Sequence, residues 1–166
     1  GNDSGLLNFL GRPTDQIRFD TVKIPGSTMT VEIVDFKAID RKPLQPRVQD
    51  PGAVRLILLV RDLDSLFSRM KKKSIPVVTA GGAPVTLTVN GVKARSVVVK
   101  DPDGHFIQLL QPDPLPETTA PATSNVIGAR FGLTVADTDQ TMRVYRELLG
   151  FQFQTFRDFP ELRLLA

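Results

Sequence analysis

Few side chains in this chain could perform chemistry. Its 166 residues include no cysteine and one histidine, His105. A thiol nucleophile, a disulfide and a cysteine-ligated metal are therefore excluded, and a Ser-His-Asp triad has one candidate base. A metal site with two or three histidines from one chain is excluded as well. What remains is carboxylate or amide chemistry, or binding without chemistry.

The histidine and the paired aspartates have structural interpretations. His105 follows Asp103-Gly104 in a predicted turn, and we interpret it as solvated or bonded within that turn. An Asp-x-Asp pattern occurs twice, each time after an apolar run, where a carboxylate caps the free N–H groups of a helix start. We therefore predict no catalytic residue, and assign capping to Asp62, Asp64, Asp137 and Asp139.

The sequence repeats itself at an offset of 75 residues. Residues 55–64 and 130–139 share an arginine, a leucine, a valine and both aspartates. Each copy predicts a strand followed by a helix with apolar residues at helical spacing. A second repeat relates residues 21–36 to 98–110, and each copy predicts a hairpin whose turn contains proline and glycine. A strand-helix-strand unit and a hairpin unit therefore alternate along the chain.

These repeats define the predicted domain organisation. Residues 1–45 form the second, hairpin half of a βαβββ module, and residues 52–112 form a complete module. Residues 113–125 form an extended linker rich in proline and threonine. Residues 126–166 form the first, strand-helix-strand half of a further module, which either completes the 1–45 half or is truncated.

Three sequence patterns resemble those of the vicinal oxygen chelate superfamily, which contains glyoxalases, bleomycin resistance proteins and extradiol dioxygenases. They are Val-x-Asp-x-Asp at 60–64, Asp-Pro-Asp-Gly-His-Phe-Ile-Gln-Leu-Leu at 101–110, and Tyr-Arg-Glu-Leu-Leu-Gly-Phe at 145–151. The resemblance implies an α+β fold in which βαβββ modules pair into a half-open curved sheet around a cleft. It is specific for the fold and not for an activity.

The metal-ligand positions implied by the resemblance are largely replaced in this chain. The first-strand position falls on Arg55 and Arg130, and the last-strand position falls on Glu32 and Gln108. A guanidinium has no lone pair to donate and stays protonated, so it repels a divalent ion. Two oxygen ligands leave such an ion under-coordinated. We therefore predict no cofactor, and a divalent metal is the disfavoured alternative.

Strand alternation places Arg55, Ile57 and Leu59 on one face of their strand. If this face lines the cleft, the arginine either pairs with Glu32 and closes the site, or binds a carboxylate or phosphate of a ligand while Gln108 orients a carbonyl or hydroxyl. The third interpretation is that the arginines simply point into solvent. The predicted cleft residues are Glu32, Arg55, Ile57, Leu59, Gln108 and Arg130.

Two classes of function follow from these positions. The first is a protein similar to bleomycin resistance proteins, which binds a small organic molecule, with an anion favoured by the arginines, without a metal. The alternative is a metal-dependent lyase, isomerase or dioxygenase of the glyoxalase-like group whose ligands lie outside this sequence. A module without a ligand of its own, which supports a partner subunit, is compatible with the same residues.

The charge balance and hydropathy exclude other partners. The net charge is +3, and the densest basic cluster, Lys71-Lys72-Lys73, falls at a predicted helix end, where it complements the helix dipole. We therefore expect no nucleic acid partner. No apolar run reaches the length of a membrane span. We expect a cytoplasmic protein, with a removed signal peptide as the alternative, and either a homodimer or intramolecular pairing of modules.

Overall fold

The computed structural model describes residues 4–9, 11, 16–37, 39–41, 45–89 and 91–152. Residue 153 onward, which includes the end of the half-module predicted at residues 126–166, lies outside this range. In chain order the elements are α1 (Ser4–Phe9), β1 (Gln16–Lys23), β2 (Thr30–Lys37), β3 (Val54–Val60), α2 (Leu63–Lys72), β4 (Val85–Val89), β5 (Val92–Lys100), β6 (Phe106–Asp113), β7 (Val126–Leu133), α3 (Thr138–Met142) and a π-helical segment (Arg143–Leu148).

Five strands form one mixed sheet in the order β4-β5-β6-β3-β7. Strand β3 runs parallel to β6 and antiparallel to β7, while β4, β5 and β6 pair antiparallel. The fold class is therefore α+β with a mostly antiparallel sheet, as the sequence predicts. Between β3 and β6 the chain follows the order strand, helix, strand, strand, strand.

The two faces of this sheet bury different clusters of side chains. Helix α2 packs on one face through Leu63 and Phe67, which contact apolar residues of β3, β5 and β6. Because successive side chains of a strand point to opposite faces, every second side chain of these strands lies on the other face of the sheet. There Val48, from the segment before β3, packs on a second cluster that contains Ile57, Val98, Phe106 and Leu110.

Two of the four aspartates predicted to cap a helix do so. Asp64 and Asp139 lie inside the first turns of α2 and α3 instead, and the carboxylate of Asp64 accepts hydrogen bonds from Arg95. Asp62 precedes α2 and accepts a hydrogen bond from the backbone N–H of Ser65 at 2.9 Å. Asp137 precedes α3 and accepts from the N–H of Gln140 at 2.9 Å. The second helix differs from the first, because after five residues it widens into the π-helical segment and ends at Gly150, which has a φ of 71°.

Strands β1 and β2 form a separate two-stranded sheet. Several large apolar side chains of this hairpin are exposed, including Phe19 and Ile33. Its turn contacts the main sheet at Gly26, where an added Cβ would overlap the carbonyl oxygen of Ile127 and lie 2.7 Å from Thr118 Oγ1. Within the described part of the chain, the hairpin strands pair only with each other.

The second strand of the strand-helix-strand unit predicted within residues 52–112 is reduced to an isolated bridge between Val77 and Val99. Thr79 explains part of this difference, because its Oγ1 accepts a hydrogen bond from the N–H of Val98 and thereby replaces a strand contact. A short 3₁₀ turn follows at Ala80–Gly82. Over the described ranges, no helix has the length and apolar character needed to cross a bilayer, and the cytoplasmic location stays a prediction.

Candidate functional site

Strands β3, β6 and β7 bring two arginines and a glutamine to one face of the sheet. Ile57 is the Cα partner of Arg130 on β7 and of Gln108 on β6, and Arg55 lies two residues before it. Directly opposed residues of neighbouring strands point to the same side. We call this surface the arginine face and define it by Arg55, Ile57, Leu59, Gln108 and Arg130.

Gln108 is the fixed element of the arginine face. Its side chain is 4% exposed. Its Nε2 donates to Ser96 Oγ at 3.0 Å, and its Oε1 accepts from Arg55 Nη1 at 3.3 Å. Ser96, which is fully buried, donates in turn to the carbonyl oxygen of Leu109 at 2.8 Å. The chain of donors sets the orientation of the amide and directs its oxygen toward the guanidinium.

The positive charge of Arg55 has little compensation. Burial lowers the pKa of Arg55, and the positive charge of Arg130 lowers it further, although a guanidinium remains protonated at physiological pH. Its Nε is buried and has no hydrogen-bond partner among the residues that the structure describes. Within the described ranges, neither Arg55 nor Arg130 forms an ion pair with a carboxylate. A buried donor without a partner and two neighbouring cations together favour an anion.

Two glycines of β7 make room beside Arg130. A Cβ at Gly132 would lie 3.2 Å from Ile57 Cδ1 and 3.4 Å from Arg55 Nη2, and a Cβ at Gly128 would lie 3.1 Å from Leu59 Cδ1. The side chains of β3 therefore extend over the backbone of β7. On this face, Arg130 is the only residue of β7 between positions 128 and 132 that carries a side chain.

An apolar groove of about 250 Å³ adjoins the arginine face. Arg130 and Leu59 belong to both surfaces. The rest of the lining consists of apolar side chains from β5, β6 and the linker that follows: Val92, Ala94, Leu110, Pro112, Pro114 and Pro116.

Five of the six predicted cleft residues, all except Glu32, lie together on the arginine face. Glu32 lies on β2 in the separate sheet, opposite Thr21, and is exposed. It forms no ion pair with Arg55, whose hydrogen bond goes to Gln108 instead. The predicted alternative in which Glu32 neutralises Arg55 therefore does not describe this conformation.

His105 is bonded within its own turn. Its backbone N–H donates to Asp101 Oδ1 at 2.8 Å, and its ring Nδ1 lies 3.0 Å from Asp101 Oδ2. Burial raises the pKa of Asp101, but the hydrogen bonds from His105 outweigh it and hold this pKa below its usual value. The histidine is exposed, and we assign it no chemistry.

A larger cavity, of about 830 Å³, lies on the helix side of the sheet between the start of β3, the end of β7 and the π-helical segment. The described residues of its lining are apolar or neutral and polar, such as Phe131, Leu133, Met142 and Tyr145, with no charged side chain among them. Across the described residues, no three His, Asp or Glu side chains are placed to hold a metal ion together.

We did not identify Ser96, the two glycines of β7 (Gly128 and Gly132) or the proline-lined groove from the sequence. Ser96 had a readable signal, because a serine interrupts the alternation Ala94, Ser96, Val98 on the buried face of β5. The glycines gave no signal in the sequence, since their effect depends on which strand lies beside β7.

Comparisons with protein-family models, with curated proteins and with solved structures give no match to this chain.

Proposed function

We propose that this chain is a glyoxalase-like and bleomycin-resistance-like protein whose arginine face binds a small organic anion without a metal ion. The observation that carries the proposal is the pair of uncompensated guanidinium groups, Arg55 and Arg130, on one sheet face. A ligand carboxylate or phosphate would accept from both, and would supply the acceptor that the buried Nε of Arg55 lacks. Gln108 would hold Arg55 in place.

We also propose that the chain has the paired βαβββ modules that the sequence predicts. The strand-helix-strand-strand-strand order from β3 to β6 supports a βαβββ module, and the antiparallel pairing of β3 with β7 supports a second module beside it. Within the described residues, the outer edge of β7 has no neighbouring strand. We therefore propose that modules pair into a half-open curved sheet, within one chain or in a homodimer.

The test is calorimetric titration of the purified chain with phenylacetate, phenyl phosphate and the uncharged analogue phenylacetamide. We expect binding of at least one anion and none of the amide, and weaker binding at higher ionic strength. Arg55→Gln and Arg130→Gln should each weaken binding at least about tenfold, since a hydrogen bond to a charged group contributes roughly 1.5–3 kcal/mol. The matched control is Arg69→Gln, an exposed arginine on α2, at the other face of the sheet.

Two results would contradict the proposal. One is an unchanged affinity for the anions in both arginine variants. The other is anion binding that disappears on treatment with a chelator and returns with Mn²⁺, Fe²⁺, Ni²⁺ or Zn²⁺, which would support the metal-dependent alternative. Metal analysis of the purified protein, made on the same samples, separates these cases.

A further inference from the structure

The apolar groove begins where the anion site ends. Arg130 lines the groove and also carries one of the two charges of the arginine face, and Leu59 belongs to both surfaces. When the anionic group of a ligand binds the guanidinium groups, the atoms next to that group would therefore lie in the groove. We propose, resting on the proposed function, that this ligand is an amphipathic monoanion whose apolar body fills the groove.

The lining selects an apolar body. Apart from Arg130, the groove is lined by aliphatic side chains and by Pro112, Pro114 and Pro116. Proline has no N–H, so these three alternate positions, one near the end of β6 and two in the linker that follows, offer no backbone donor. A polar substituent placed here would lose its hydrogen bonds to water without replacement.

The size of the groove limits the size of the ligand's apolar part. Leu59 is the Cα partner of Gly128, which lies two residues before Arg130 on β7. Two residues of a strand span about 7 Å, which an acyl chain of about six carbons covers. The groove volume of about 250 Å³ exceeds the roughly 150 Å³ of a cavity that accepts benzene. It therefore suits one ring or a medium-length chain.

The charge pattern limits the ligand to a single anion. Among the described residues that line the groove, the only charged one is Arg130, at the end shared with the arginine face. A dicarboxylate of the same length would place its second charge among prolines and leucines, where burial of an unpaired carboxylate is unfavourable. The groove thus discriminates against ligands with a second charge, and the arginines discriminate against ligands with no charge.

The experiment compares straight-chain carboxylates by calorimetric titration of the full chain. From acetate through butanoate to hexanoate, affinity should rise by up to about fourfold for each methylene, because each moves from water into the groove, and it should level off in octanoate. Adipate, which has the length of hexanoate and a second carboxylate, should bind at least about tenfold more weakly than hexanoate.

A groove variant with a matched control tests the location. Val92→Glu introduces a carboxylate at a groove residue that is 39% exposed, and Val22→Glu makes the same change at a 46% exposed valine of the separate hairpin. Val92→Glu should abolish the dependence on chain length, and Val22→Glu should leave it unchanged. Methyl NMR spectra with hexanoate should show shifts at Leu59 and Leu110 and not at Leu63 on the helix side.

The outcomes separate this inference from the function on which it rests. If acetate, hexanoate and adipate bind equally and all depend on Arg55 and Arg130, the amphipathic ligand is wrong and the anion site stands. If no carboxylate binds and phenyl phosphate does, the carboxylate series refutes the amphipathic ligand and the anion site stands; if neither kind of anion binds, both are wrong. If hexanoate binds with its chain-length dependence intact in Val92→Glu, or shifts the helix-side methyl groups instead, the groove is not the site of the apolar body.

Discussion

Ser96 fixes the amide of Gln108 in one orientation. The serine hydroxyl donates to the carbonyl of Leu109 and accepts from Gln108 Nε2, which leaves the amide oxygen for Arg55. Both side chains are buried, so water cannot replace either partner. The position of the Arg55 charge on the sheet therefore depends on a hydroxyl on β5, two strands away from β3.

Ser96→Ala should destabilise the protein and weaken anion binding together. The substitution leaves the buried amide N–H of Gln108 without an acceptor, which costs roughly 1–3 kcal/mol. Urea denaturation measures the first effect and titration with phenylacetate the second. Ser124→Ala is a control for loss of a serine hydroxyl, since the hydroxyl of Ser124 donates to the carbonyl of Val126 and has no other partner among the described residues. Equal affinities in Ser96→Ala and the wild type would show that Gln108 holds Arg55 without the serine.

Arg55→Met should stabilise the fold while it removes anion binding. The guanidinium is partly buried, has an unpartnered Nε and lies near a second positive charge. Replacing such a group by an apolar side chain of similar length should raise the free energy of unfolding by roughly 1 kcal/mol. Arg130→Met, at an exposed residue, should change stability much less. A lower stability of Arg55→Met, measured by urea denaturation, would mean that the lost hydrogen bond to the buried Gln108 Oε1 outweighs the relief of the buried charge.

Gly26→Ala should separate the hairpin from the main sheet. The new Cβ would overlap the carbonyl oxygen of Ile127, and both groups belong to backbone that has little freedom to move. Gly82→Ala is the matched control, because Gly82 has a φ of 65°, close to the 68° of Gly26, and no atom within 4 Å of its added Cβ. The control measures the strain of the left-handed backbone alone, roughly 1 kcal/mol. Hydrogen exchange should accelerate in β1 and β2 of Gly26→Ala only.

Asp101→Asn should remove part of the acid sensitivity of the fold. The pKa of Asp101 lies below its usual value because the hydrogen bonds from His105 outweigh burial. A carboxyl whose folded-state pKa is lowered stabilises above its unfolded pKa, and this stabilisation disappears as pH falls through the folded value. The difference in urea midpoint between wild type and Asp101→Asn should therefore be largest near about pH 6 and smallest near about pH 2.5. A difference that grows on acidification would contradict the assignment.

The sequence repeat predicted the parts of the fold that depend on local pattern. Asp62 and Asp137 cap helices as expected, because capping requires only residues three positions apart. Arg55 and Arg130 share a face because the repeat gives their strands the same alternation and the strands turned out to be neighbours. The second condition is a tertiary fact, which alternation within one strand does not contain.

The parts that sequence reasoning missed are those set by contacts between distant segments. Glu32 has the strand position expected of a cleft residue, but β2 pairs only with β1 in the described chain, so the glutamate lies in a different sheet. Ser96 and Gln108 meet because β5 and β6 pair in a register that places Val98 opposite Gln108. Side-chain type predicted what each residue could do, and strand pairing decided which residues could do it together.

Gly128 and Gly132 give the chain a way to change ligand preference without changing its charges. Each lies next to Arg130 on the same face of β7 and contacts a side chain of β3 whose end is flexible. A serine or alanine at either position would require Ile57 or Leu59 to shift by only a few tenths of an ångström, and would reduce the space on one side of the guanidinium. These two positions are the natural places to introduce diversity when new ligand specificities are selected on this scaffold.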